Sequence, residues 1–218
     1  MTTDFTAARE AMVDCQVRPS DVTRYPIIEA MLHVPRERFV PKGLRDIAYA
    51  GTEIPLGEGR AMLEPRILAK MLEAAAVTPD DLVLDVAPGT GYSTAVLARM
   101  AEAVVAVEPD RALAAEAQRL LPRLEIDNAT VTQAPAVEGD PAHGPYDAIL
   151  INGAVQQIPT SLTGQLAEGG RLVAIFADGP AGRCRLLTRA GDAISDRELF
   201  DATAPLLAGF ERPREFTF

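Results

Sequence analysis

The segment Asp85-Val-Ala-Pro-Gly-Thr-Gly-Tyr92 constrains the fold most strongly, because it joins an apolar stretch to a helical one through a glycine-rich turn. The apolar stretch Leu82–Val86 has the length of a buried strand, and residues 93–100 have the character of a helix. Gly89 and Gly91 let the backbone turn tightly and approach a ligand closely, which a side chain at either position would hinder. The segment therefore predicts a strand, turn and helix with a ligand site at the end of the strand.

Beyond residue 80, short apolar segments alternate with helical segments, which is typical of a parallel sheet covered by helices on both faces. The predicted strands are 82–86, 103–107, 129–133, 146–151 and 171–176, and the predicted helices are 93–100, 111–121 and 159–166. Segments 183–189 and 193–200 flank Gly191-Asp192, which predicts an antiparallel hairpin. We expect an α/β, doubly wound, Rossmann-like sheet that is mostly parallel, with an antiparallel C-terminal hairpin.

The first 79 residues follow a different pattern, because five prolines between residues 19 and 55 divide them into short helices. Pro26 suits the first turn of a helix, and residues 64–75 place their apolar side chains on one helical stripe. Gly57-Glu58-Gly59 predicts a flexible loop. We expect residues 1–79 to form an N-terminal helical lid and residues 80–218 to form the core domain.

The charge balance and the cysteines exclude several classes of function. The chain has 218 residues with 21 Lys and Arg against 31 Asp and Glu, a net charge of −10, which argues against nucleic-acid binding. Its longest apolar stretches are far shorter than the ~20 residues of a membrane-spanning helix, and no secretory signal is visible. Cys15 and Cys184 belong to no paired motif, so neither a disulfide framework nor a metal site is expected. We expect a cytoplasmic protein that does not bind membranes.

An acidic residue, Glu108, ends the second predicted strand of the core, 17 residues after Gly91. A carboxylate at that place can accept hydrogen bonds from both hydroxyls of a ribose. A dinucleotide motif needs a third glycine three residues after Gly91, where this chain has Thr94. The residues therefore favour a nucleoside-type cofactor other than NAD, and the alternative is an ordinary turn with no ligand.

The order of Asp85, the glycine turn and Glu108 resembles that of class I methyltransferases, which bind S-adenosylmethionine. Ala87 replaces the usual first glycine of the turn, so we expect cofactor binding to be weakened or unchanged. Tyr92 either packs against the cofactor or is a core residue of its helix. Asn152 either faces the cofactor or forms a turn. The residues expected at the cofactor are Asp85, Ala87, Gly89, Thr90, Gly91, Tyr92, Glu108 and Asn152.

Segments outside the turn resemble protein-L-isoaspartate O-methyltransferases. These segments include Val34-Pro-Arg-Glu-Arg-Phe-Val-Pro41, Ile54-Pro-Leu-Gly57, Pro145-Tyr-Asp-Ala-Ile149 and Gln165-Leu-x-x-Gly-Gly-Arg-Leu172. The resemblance implies transfer of a methyl group to the side-chain carboxylate of an isoaspartyl residue in a damaged protein or peptide. A carboxylate with a pKa near ~4 is ionised at neutral pH, so this transfer needs no general base.

One segment departs from the family pattern, because Leu63-Glu64-Pro65-Arg66 stands where the family carries Ser-x-Pro-His. The resemblance implies that the lost hydroxyl contacts the substrate carboxylate. We hypothesise that Arg60 and Arg66 bind this carboxylate instead; the alternative is that both are solvated surface residues. The candidate catalytic positions are thus Arg60, Leu63 and Arg66. The chain could also be a relative with another acceptor, or a cofactor-binding protein without repair activity.

Overall fold

A seven-stranded sheet forms the centre of the computed structural model, which describes residues 3–57, 59–177, 179 and 181–212. A separate antiparallel hairpin precedes the sheet and consists of β1 (Ile54–Gly57) and β2 (Arg60–Met62). The strands of the sheet are β3 (Leu82–Val86), β4 (Ala103–Val107), β5 (Ala129–Thr132), β6 (Tyr146–Val155), β7 (Leu166–Phe176), β8 (Arg183–Ala190) and β9 (Ala193–Asp201). Their order is β5-β4-β3-β6-β7-β8-β9, parallel from β5 to β7 and antiparallel beyond. The predicted fold class is confirmed.

Six α-helices accompany the strands in the described part of the chain. They are α1 (Phe5–Met12), α2 (Tyr25–His33), α3 (Pro65–Ala75), α4 (Tyr92–Ala98), α5 (Arg111–Leu120) and α6 (Thr160–Thr163). Asp4 and Asp110 cap α1 and α5 by accepting hydrogen bonds from backbone N–H groups of the first turn. Proline occupies the first turn of α2 and α3, where its missing N–H removes no helical hydrogen bond.

One local prediction needs correction, and one hairpin escaped prediction. The helix predicted over 159–166 ends at Thr163, because the next residues already pair with β6: Tyr146 N–H donates to the carbonyl of Gln165 at 2.7 Å. The β1–β2 hairpin, whose strands flank the predicted loop at 57–59, was not predicted; in it Ile54 pairs with Met62. Both residues are buried, yet strands of three or four residues carry too little periodicity to be recognised. Glu58 lies outside the described residues.

The hydrophobic core has two parts, one on each face of the sheet. Val83 and Leu84 are adjacent on β3 and both fully buried, but they belong to different clusters, because side chains alternate across a strand. The cluster around Val83 includes Met31 and Leu72, so the N-terminal elements cover that face. Each such side chain contributes about 1.5–3 kcal/mol through burial. Within the described residues, none of the helices has the length and apolar character needed to cross a bilayer.

Candidate cofactor and acceptor site

The glycine turn joins β3 to α4 at the edge of the sheet where the parallel strands end. Its backbone has positive φ at three alternate positions: +57° at Ala87, +65° at Gly89 and +94° at Gly91. Glycine adopts this conformation freely, whereas Ala87 does so at a cost of about 1–2 kcal/mol. A Cβ on Gly91 would lie 3.1 Å from the Cβ of Ala117, so this glycine also lets α4 and α5 pack closely.

Asp85, the fourth residue of β3, organises the polar interior behind the turn. Its fully buried carboxylate accepts hydrogen bonds from Ser93 Oγ and Thr94 Oγ1, both at 2.7 Å, and from Asn152 Nδ2 at 2.6 Å. Burial raises the pKa of Asp85 to about 6; the three hydrogen bonds oppose this shift, and the charge of Glu108 adds to it. Asp85 and Asn152 therefore hold β3, α4 and β6 together beneath the turn.

Thr90 and Tyr92 connect the turn to the N-terminal elements. The hydroxyl of Thr90 donates to the carbonyl of Phe39 at 2.5 Å. The buried ring of Tyr92 lies edge-on to Phe39, with centroids 5.7 Å apart, and 4.8 Å from the Arg36 guanidinium carbon. Tyr92 thus packs as a core residue of α4.

Glu108 directly follows β4 and is fully buried. Its Oε1 accepts from Arg60 Nη1 at 2.5 Å and from the Asp110 N–H at 2.9 Å. Its Oε2 accepts from Arg60 Nη2 and from the Gly89 N–H, both at 2.8 Å. Arg60 Nη2 also donates to the Ala87 carbonyl at 2.9 Å. The predicted ribose acceptor and the glycine turn therefore adjoin each other, and Arg60 bridges them.

The β1–β2 hairpin covers the turn with two side chains, Arg60 and Leu56. A Cβ on Gly89 would lie 2.5 Å from Leu56 Cδ1, so the space in front of this glycine holds the leucine tip. The backbone of the turn and the position of Glu108 fit an adenosyl group. The Arg60 and Leu56 side chains occupy the space in front of the turn, so a bound adenosyl group requires both side chains to turn away.

The catalytic candidates Leu63 and Arg66 lie beside the hairpin, at the start of α3. Leu63 is buried, and its carbonyl accepts from Arg36 Nη2 at 2.7 Å. Arg66 is half-exposed and pairs with Glu64 at 2.8 Å. The two candidate arginines therefore hold different carboxylates, Arg60 that of Glu108 and Arg66 that of Glu64.

Two adjacent clefts open on this side of the molecule. One has a volume of about 380 Å³ and is lined in part by Glu64, Arg66 and Asp201. The other has a volume of about 400 Å³ and includes Arg60 in its wall. Thr52 and Glu53 line both. Burial, together with the charge of Glu64, raises the pKa of Glu53.

Sequence reasoning missed Arg36 and Leu56. Arg36 is fully buried: its Nε donates to the Ala48 carbonyl at 2.7 Å, and burial lowers its pKa. In the sequence it stands in the charged run Arg36-Glu-Arg38, where nothing distinguishes a buried arginine from a solvated one. Leu56 belongs to the segment Ile54-Pro-Leu-Gly57, but its position over Gly89 depends on a hairpin that the sequence pattern does not indicate.

The strand order, the glycine turn before α4 and the acid after β4 define a Rossmann-like methyltransferase fold. The family model described as protein-L-isoaspartate(D-aspartate) O-methyltransferase matches residues 7–195. A protein-L-isoaspartate O-methyltransferase of Roseiflexus castenholzii is 38% identical over 207 residues, 94% of each chain. The enzyme of the same name from a Synechococcus species is 42% identical over 177 residues, 81% of this chain and 72% of its own. The chain belongs to the protein-L-isoaspartate(D-aspartate) O-methyltransferase family.

Solved structures agree on the fold. A protein-L-isoaspartate O-methyltransferase structure superposes with a TM-score of 0.81 at 24% identity, covering 92% of this chain, which spans 66% of that longer chain. A Plasmodium falciparum protein, described as a protein-L-isoaspartate O-methyltransferase in complex with S-adenosyl-L-homocysteine, gives a TM-score of 0.78 at 20% identity. It covers 94% of this chain and 99% of its own.

Proposed function

We propose that this methyltransferase uses S-adenosylmethionine to methylate the side-chain carboxylate of L-isoaspartyl residues in damaged proteins or peptides. Family membership across residues 7–195 carries the proposal. The site supports it, because Gly89 and Glu108 adjoin at the ends of parallel strands, with the Gly89 N–H 2.8 Å from Glu108 Oε2. This edge is where open α/β sheets bind their ligands.

The cofactor residues we propose are Asp85, Ala87, Gly89, Thr90, Gly91, Glu108 and Asn152; Tyr92, which packs against Phe39 in the core, would support the turn from behind. When bound, S-adenosylmethionine supplies a sulfonium methyl group, whose transfer to a carboxylate oxygen forms a methyl ester and leaves S-adenosylhomocysteine. Glu108 would accept the ribose hydroxyls, and Asp85 would keep the turn in place through its bonds to Ser93 and Asn152. Positioning is then most of the catalysis.

The site offers no histidine as a general base. His33 is exposed and contacts the Glu29 carbonyl, and His143 is exposed and contacts Asp140. An isoaspartyl carboxylate is already ionised at neutral pH, so the reaction requires no proton removal. The absence of a histidine near the turn, among the residues that the structure describes, agrees with a carboxylate acceptor.

On the acceptor side we propose that residues 1–79 act as the substrate lid over a core of residues 80–218. Arg60 and Arg66 each border one of the two clefts and would bind the isoaspartyl carboxylate in place of the missing hydroxyl. The guanidinium group suits this role because it binds carboxylates with two parallel hydrogen bonds.

A second candidate is a family relative with another acceptor, or a cofactor-binding protein without repair activity. The observation that favours it is the acidic wall of the clefts, where Glu53 and Glu64 oppose the approach of a carboxylate. Buried Leu63 offers no side-chain hydrogen bond to offset that repulsion.

A methyl-transfer assay separates the two candidates. The protein would be incubated with methyl-labelled S-adenosylmethionine and either an isoaspartyl peptide or the same peptide with normal aspartate. We expect a base-labile methyl ester on the isoaspartyl peptide alone, and a matched His143→Ala variant should show the same rate. Binding of S-adenosylhomocysteine without transfer to the isoaspartyl peptide would overturn the repair activity and favour the second candidate.

We also propose that the protein acts in the cytoplasm on protein substrates and does not bind nucleic acid. Cys15 and Cys184 are both free thiols, which fits a reducing compartment. The net charge of −10 opposes binding to phosphate backbones.

A further inference from the structure

The carboxylate that should bind the ribose has no free hydrogen-bonding capacity in this structure. Each oxygen of Glu108 accepts two hydrogen bonds, one from Arg60 and one from a backbone N–H. A ribose presents two hydroxyl groups that need the same oxygens. A ribose can therefore bind Glu108 only after Arg60 has left it.

Arg60 is positioned to serve both the cofactor side and the acceptor side. Its two terminal nitrogens contact Glu108 and the Ala87 carbonyl, while its side chain remains 12% exposed and borders the cleft of about 400 Å³. Its buried Nε has no hydrogen-bond partner among the described residues. The guanidinium is thus strongly but incompletely bound, and a wide space adjoins it.

The element that carries Arg60 is small. Among the described residues, β1 and β2 form backbone pairs with each other and with no other strand, and their register is irregular between Pro55 and Gly57. Ile54 and Met62 anchor the hairpin in the hydrophobic core, whereas Arg60 lies beside an open cleft. Release of Glu108 therefore requires the Arg60 side chain to turn toward that cleft and does not require the hairpin backbone to leave the core.

We propose that Arg60 is an internal ligand of Glu108 that the cofactor displaces, and that the released guanidinium then binds the acceptor carboxylate. This inference rests on the proposed function. Cofactor ribose and Arg60 compete for one carboxylate, so the apparent affinity for cofactor is reduced by the fraction of molecules in which Arg60 occupies it. The acceptor gains its cation only after that exchange, so cofactor binds before acceptor.

The test is the Arg60→Gln variant with two measurements. Calorimetry should show S-adenosylhomocysteine binding at least about tenfold more tightly than to the wild type, because the competitor is gone. At saturating S-adenosylmethionine, the KM for an isoaspartyl peptide should rise about tenfold, because the cation is gone. If Arg60 had a purely structural role, its loss would weaken the binding of both S-adenosylhomocysteine and the peptide. Tighter S-adenosylhomocysteine binding together with a higher peptide KM therefore indicates displacement.

Two further variants keep the result interpretable. Leu56→Ala clears the space over Gly89 without altering charge; it should tighten S-adenosylhomocysteine binding and leave the peptide KM unchanged. Arg119→Ala, which removes an exposed arginine paired with Glu116 on α5, should change neither quantity.

The outcomes are distinct. Unchanged or weaker S-adenosylhomocysteine binding by both Arg60→Gln and Leu56→Ala would overturn the displacement while leaving the methyltransferase function intact. Tighter binding of S-adenosylhomocysteine by Arg60→Gln with an unchanged peptide KM would overturn the acceptor role of Arg60. Absence of binding to the wild type and to every variant would overturn the proposed cofactor itself, and the displacement with it.

Discussion

Asn152 donates a hydrogen bond to Asp85 at 2.6 Å, and this contact joins β6 to β3 inside the protein. The same amide group donates to the Val86 carbonyl at 3.0 Å. Both N–H groups of the Asn152 amide therefore bind β3 at the point where the glycine turn begins. The contact makes the geometry of the turn depend on a residue 67 positions away.

The elevated pKa of Asp85 predicts a pH-dependent stability. The folded-state pKa is about 6 against an ordinary value of 3.8, so the folded protein binds this proton more tightly than the unfolded chain does. The resulting stabilisation is complete below the ordinary value and is lost as pH rises through about 6. Its full size is about 3 kcal/mol.

Asp85→Asn removes this titration and keeps most of the shape. The difference in free energy of unfolding, wild type minus variant, should fall by up to about 3 kcal/mol between pH 4 and pH 8. Urea unfolding at several pH values measures it, and subtraction cancels the other carboxyl groups. A difference that stays constant with pH would contradict the assignment to Asp85.

The sequence predicted most of the sheet and its helices because their signals are local. Ala103–Val107 is apolar throughout and Leu82–Val86 is apolar except for Asp85, as expected of strands covered on both faces, and the intervening glycine turn marks where the chain reverses. Gly89, Gly91 and Glu108 were placed together at one edge of the sheet by the same reasoning, because parallel strands end on one side.

The contacts that close the site were not predictable in the same way. Arg60 and Glu108 are 48 positions apart, and nothing in either local pattern indicates that they pair. The pairing depends on a hairpin whose strands are too short for a periodic signal. The sequence does not distinguish the two candidate arginines, whereas their burial differs: the Arg60 side chain is 12% exposed and that of Arg66 is 50% exposed.

Arg36 should be a major contributor to stability. Its buried guanidinium donates to the carbonyls of Ala48 and Leu63, both at 2.7 Å. Arg36→Met leaves these buried acceptors unpaired, so we expect the free energy of unfolding to fall by about 2–4 kcal/mol. Arg38→Met, an exposed neighbour, should change it by less than about 0.5 kcal/mol. If urea unfolding gave the same free energy of unfolding for Arg36→Met and the wild type, the carbonyls of Ala48 and Leu63 would have found other donors.

Leu63→Ser restores the hydroxyl that the family resemblance places against the substrate carboxylate. Leu63 is buried, so both Leu63→Ser and Leu63→Ala should lower the free energy of unfolding, by about 2–4 kcal/mol. A hydrogen bond to a charged acceptor should nevertheless raise kcat/KM for an isoaspartyl peptide about tenfold in the serine variant relative to the alanine variant. The alanine variant is the control for lost packing. Equal kcat/KM values would place the acceptor elsewhere.

Gly89 and Gly59 provide a matched pair for the contact that covers the turn. Their φ angles are nearly equal, +65° and +64°, but a Cβ on Gly89 meets Leu56 Cδ1 at 2.5 Å, whereas a Cβ on Gly59 meets no atom within 4 Å. Gly59→Ala should therefore lower the free energy of unfolding by about 1–2 kcal/mol, the cost of the left-handed conformation alone.

Gly89→Ala should lower the free energy of unfolding by more than Gly59→Ala does, because the tip of the Leu56 side chain has to move. Leu56→Ala in the Gly89→Ala background should recover that additional loss, and a double-mutant cycle in urea unfolding measures the recovery. The same leucine substitution combined with Gly59→Ala should be additive. A recovery of equal size in both backgrounds would mean that Leu56 does not lie over Gly89 in solution, and the hairpin would then leave the cofactor turn open.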